Sequence, residues 1–152
     1  MKHSEQLQTV SYQDVIVSKS SAFCHLLLFF SLYEDEAFKG EESYQVYAIL
    51  QSYPFTAEVN FAEEVNLFFD YKINIGDERS YFKFLTELID CNAPNVLFFH
   101  AAQVALSDAV YSYNDRRCLE LLRVVLRLNE EESNSILQLV SDQRMLKIKE
   151  KF

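Results

Sequence analysis

The chain has 152 residues, 49% of them hydrophobic, which suits one domain with a full core. Only 2 Gly and 2 Pro are present, too few for the many tight turns of a sheet protein, so the composition favours long helices with few breaks. A formal net charge of −9 repels phosphate, which argues against nucleic acid and anionic membrane as partners and leaves cations, basic protein patches or, most simply, solubility.

Residues 1–19 are expected to form a polar N-terminal arm or short helix, with Val10, Val15, Ile16 and Val17 its apolar members. From Ser20 to Tyr33 the chain is apolar nearly all round, which predicts a helix at the centre of a bundle. It stops at Glu34, Asp35 and Glu36, where consecutive charges cannot stay buried. The same run is too short to span a bilayer, and its flanks do not suit a signal peptide, so no membrane insertion and a cytoplasmic location are expected. A helix over Glu41–Ser52 turns Val46, Ile49 and Leu50 inward, and Pro54 closes it. Thr56 is expected to cap a helix running to about Tyr71, with Lys72 to Gly76 as connector.

Asp77 then caps a helix in which Phe82, Leu85 and Ile89 recur at helical spacing. Pro94 fits the first turn of a helix reaching about Asp108. Ser112 and Asp115 have capping-box spacing, and the helix they open places Leu119, Leu122, Val125 and Leu126 inward. Arg116, Glu120, Arg123 and Arg127 share its solvated face. Asn129 and the three acids after it start a last helix, whose basic end suits the helix dipole. The expectation is all-α: a single-domain bundle of seven or eight helices, with the helical domain over 20–152.

Two stretches look like copies of one unit. LYEDEAFKGEESYQVYAIL surrounds Asp35, and ALSDAVYSYNDRRCLELLRVVL surrounds Asp108. In each, an apolar run ends at an Asp, an aromatic follows (Phe38, Tyr111), then an acid (Glu42, Asp115), and a second apolar run begins. Two pseudo-repeated halves suggest a bundle built by duplication. A short step across an inter-helix turn can bring the carboxylates of each pair together, making Asp35, Glu42, Asp108 and Asp115 candidate ligands for Ca²⁺ or Mg²⁺. The same acids also serve as ordinary helix caps. An EF-hand is excluded in the first loop, because Ala37, Lys39 and Val46 stand where oxygen ligands are required. Without a metal, Glu34, Glu36, Glu41 and Glu42 form an acidic face for a partner protein with a basic patch.

Signals for catalysis are absent. His25 and His100 lie in apolar runs, as core histidines with one hydrogen bond satisfied, and His3 lies near the terminus. Cys24 and His25 are consecutive in a helix and point apart. Glu63 and Glu64 read as the wet face of their helix. The three cysteines, Cys24, Cys91 and Cys118, form no CxxC pair and are expected as buried free thiols. No nucleophile elbow, phosphate loop or HExxH is present, so a non-enzymatic protein is expected.

FFDYKINIGDERSYFKFLTEL, followed by AAQVALSDAVYSYNDRRCLELLRVVLRLN, resembles the tellurite-resistance TerB-like family. Asp108 stands at that family's turn Asp, Asp115 at the Glu that opens the next helix, and Leu119, Leu122 and Leu126 follow in register. The first half matches more loosely through Asp35 or Glu36 and then Glu41 or Glu42. The family's turn Gly is Glu36 in one half and Ala109 in the other, and both side chains resist a left-handed backbone. The resemblance implies an all-helical fold of two related halves. It also implies a cytoplasmic stress-response or interaction module with divalent-cation binding at the acidic inter-helix loops. The alternative is a metal-independent acidic adaptor or an immunity-type partner.

Overall fold

Helix α2 (Lys19–Leu32) organises the molecule. Every residue from Ser21 to Leu32 is buried, as expected of a helix with no polar stripe. Ser18 starts it, its hydroxyl accepting the Ser21 N–H at 3.1 Å. The structure is a computed structural model that describes residues 10–35, 40–107 and 111–150, with the side chains of 40–42 and 146–150 outside that description. Among the described residues the chain is an all-α bundle with no strand. The other helices are α1 (Tyr12–Val15), α3 (Gly40–Gln51), α4 (Phe61–Tyr71), α5 (Glu78–Ile89), α6 (Pro94–Ala105), α7 (Tyr113–Leu126) and α8 (Glu130–Glu150). A 3₁₀ turn, Lys72–Asn74, joins α4 to α5.

Around α2 pack α3, α4, α5 and α6; α7 covers α5 and α6, and α8 lies along α6. Phe29 and Phe30 of α2 meet Phe82 of α5, one ring edge-on at 4.9 Å and the other stacked at 5.7 Å. The arm before α2 is tied to this core, since Ile16 is buried and the Tyr12 ring stands edge-on to Tyr81 at 4.8 Å.

Local signals hold at several boundaries. Asp77 caps α5 by accepting the Arg79 N–H, and Gly76 before it has φ +67, the left-handed conformation glycine adopts without strain. Pro94 is in the first turn of α6, and Ser112 and Asp115 form the full capping box of α7.

Two boundaries differ. Helix α4 starts at Phe61, capped by Asn60, because the buried Thr56 hydroxyl donates to the Leu50 carbonyl at the end of α3 and caps nothing. Helix α6 ends at Ala105, short of Asp108, which lies outside the described residues. Cys24 and Cys118 are buried as expected, but Cys91 is exposed in the turn after α5, where the apolar face has already ended.

Candidate functional site

Leaving the core, α2 delivers Ser31, Glu34 and Asp35 to a corner that the first turn of α7 closes with Asn114 and Asp115. These residues line a cavity of about 30 Å³, room for one water molecule or one ion. The expected pairing ran within each loop, Asp35 with Glu42 and Asp108 with Asp115. Among the described residues, Asp35 and Asp115 line one cavity. The side chains of Glu41 and Glu42, and all of Glu36 and Asp108, lie outside the description. Exposed Glu34 bridges the two segments by accepting the Ser112 hydroxyl at 3.2 Å.

Two polar atoms in this corner are orphaned. Ser31 is 7% exposed, and neither its Oγ nor the Asp35 Oδ2 has a hydrogen-bond partner among the described residues. Asp115 is engaged: its Oδ2 accepts the Ser112 N–H at 3.1 Å. The Lys72 ammonium donates to the carbonyls of Leu32 at 2.9 Å, Tyr33 at 3.2 Å and Asp35, and lies 4.5 Å over the Phe69 ring. A cation there satisfies the carbonyls left free at a helix C-terminus and matches its dipole. Among the described residues no group of three or more His, Cys, Asp or Glu side chains is placed to hold a metal, so a cation in this corner would also need Ser31, Asn114 or residues beyond the description.

Nearer its start, α2 carries a second polar centre. His25 is wholly buried, and both ring nitrogens are bonded: Nδ1 to the Tyr71 hydroxyl at 2.6 Å and Nε2 to Glu64 Oε1 at 2.8 Å. Ser21 donates to the same Glu64 oxygen at 2.8 Å, and the hydroxyls of Tyr71 and Tyr81 are 2.5 Å apart. A carboxylate only accepts, so Nε2 carries a proton. From Nδ1 the chain of hydrogen bonds continues through the Tyr71 hydroxyl to that of Tyr81. The hydrogen bond from His25 holds the Glu64 carboxyl below its ordinary pKa. Burial pushes both tyrosines up.

This network corrects two expectations. Glu64 does not belong to a wet face, since its side chain is 13% exposed and reaches the buried imidazole. His25 has both nitrogens satisfied rather than one. Ser21 bonds to Glu64 and not to His25, so these two are not arranged as nucleophile and base. The available signal was the Ser21–His25 spacing of one helical turn inside an otherwise apolar run, which demands a polar partner from another helix.

His100 is half-buried between the Tyr53 hydroxyl, 2.6 Å from Nε2, and Gln103, 2.9 Å from Nδ1, and burial holds its pKa below the ordinary value. Burial also pushes the Cys118 thiol up to about 12, so it stays protonated. Among the described residues, no helix is long and apolar enough to cross a membrane. No protein-family model, no curated protein and no solved structure matches the chain.

Proposed function

We propose that the chain is a non-enzymatic, cytoplasmic TerB-like protein, an interaction or stress-response module that takes Ca²⁺ or Mg²⁺ where its two acidic segments meet. One observation carries this: the Asp35 Oδ2 and Ser31 Oγ, buried and without a partner among the described residues, beside a cavity of single-ion size shared with Asp115. An unpaired buried polar atom costs about 1–3 kcal/mol, and more for a charged group. Such a cost persists most readily where a ligand relieves it. Hard cations take carboxylate, hydroxyl and amide oxygens, the donor types present here. A bound cation would draw the end of α2 towards the start of α7 and join the two halves.

Isothermal titration with Ca²⁺ and with Mg²⁺ tests the cation. Saturable heat in the wild type, lost in Asp35→Asn, is the expected result; heat no greater than dilution, or no difference between the two proteins, removes the cation. A metal-independent acidic adaptor or immunity-type partner is the alternative, and Lys72 favours it by already holding the loop carbonyls on one side. That alternative expects salt-sensitive capture of a basic partner, weakened by Glu34→Gln and indifferent to chelator.

A further inference from the structure

Helices α7 and α8 are joined by a short turn, yet among the described residues they scarcely touch; each packs on α6 and they splay apart. The turn is held open by Arg127, left-handed at φ 62, and by Arg123, which donates to the Leu128 carbonyl at 2.8 Å. Between the splayed helices runs a trough of about 680 Å³, open along one side. Phe98 and Leu119 form its floor, Leu121, Val124 and Leu137 its walls, and Tyr113 stands at its mouth. Tyr113 is 80% and Val124 38% exposed, about three turns apart along the trough-lining face of α7.

We infer that this trough docks an amphipathic helix of a partner protein, apolar on one face and acidic on its flank. An open trough cannot enclose most of a small ligand's surface, as small-molecule sites do. Two helices diverging over a third leave the shape that a further helix fills, with its apolar stripe at i, i+3, i+4 and i+7. Charge selects the acidic flank. Of the charged residues lining the trough, Arg117 is spent on Glu78 at 2.7 Å and Glu120 is spent on Arg123. Arg116 has no ion pair among the described residues; its guanidinium stands 5.8 Å over the Tyr111 ring. Tyr and Arg around an apolar floor are the residue types that dominate helix and peptide recognition. A second copy of the chain is the competing occupant.

The chain contains no Trp, so a Trp-bearing peptide reports binding on a dark background. The probe is a synthetic helix of about four turns with Leu and Trp at the apolar stripe and Glu on the flank, beside a twin with Lys for Glu. The full chain is expected to bind the Glu peptide saturably and about tenfold more tightly than the Lys peptide. Arg116→Glu should reverse that preference, and Val124→Asp, on the exposed lip, should abolish binding while the circular-dichroism melt stays unchanged. No saturable emission shift, or equal binding of both peptides that Arg116→Glu leaves unaltered, overturns the inference. Sedimentation of the wild type as a dimer dispersed by Val124→Asp overturns it in favour of self-association.

Discussion

Helix α2 carries polar residues at both ends, and the two ends treat them oppositely. Near the start, Ser21 and His25 are enclosed and every polar atom finds a partner, through Glu64 on α4 and the tyrosine pair Tyr71 and Tyr81. Near the end, Ser31 and the partly buried Asp35 each leave a buried atom without a partner among the described residues. A satisfied buried network specifies how helices pack, because any other arrangement strands its donors. An unsatisfied one is a standing cost that something else can relieve. The comparison therefore sets a closed structural network at the first end against the corner where we propose that a cation binds.

The sharpest way to break this contrast is His25→Ala, which strands Glu64 and Tyr71 and opens a cavity. It should cost about 3 kcal/mol or more in urea unfolding. A loss under about 1 kcal/mol would mean that the network contributes little. Glu64→Gln should cost less, about 1–2 kcal/mol, and should also change the acid limb. Because the folded pKa of Glu64 is depressed, its contribution is present above the ordinary carboxylate value and lost as pH falls through the folded one. Urea midpoints below about pH 4.3 should therefore fall more steeply for the wild type than for Glu64→Gln, and parallel curves would count against the pair.

His100 sharpens the comparison at milder pH. Its folded pKa is lowered by burial, so the unfolded chain takes up the proton first as pH falls. The contribution of neutral His100 is intact above the unfolded value of about 6.5 and is lost below it. Melting temperatures should drop between about pH 7.5 and 5.5 in the wild type and less so in His100→Gln; an equal drop would place the titrating group elsewhere. The smallest effect belongs to the orphaned end. Ser31→Ala should fall within about 0.5 kcal/mol of the wild type or stabilise it, whereas Ser21→Ala should cost about 1 kcal/mol. A loss above about 1.5 kcal/mol from Ser31→Ala would reveal a partner for its hydroxyl.

Much of the scaffold was legible residue by residue. The caps at Asp77 and Ser112, Pro94 in the first turn of α6, and the burial of Leu85 and Leu122 follow from short-range spacing. Thr56 misled because a hydroxyl with helix-capping spacing was drawn instead to the Leu50 carbonyl, a competition spacing does not reveal. Glu64 misled because a charged residue in an amphipathic helix normally faces water, and only the imidazole waiting in α2 pulls it inward. The corner was half legible: Asp35 and Asp115 were visible as acids, but not that they line one cavity.

What the chain settled by itself was the all-helical bundle with α2 at its centre, because hydrophobic periodicity, capping and proline placement act within a few residues of one another. What only the tertiary structure decided was which polar groups meet. Glu64 and Tyr71 lie 39 and 46 positions from His25, and Glu34 lies 78 from Ser112. Those encounters, like the trough between α7 and α8, depend on how finished helices cross, and no local pattern encodes a crossing.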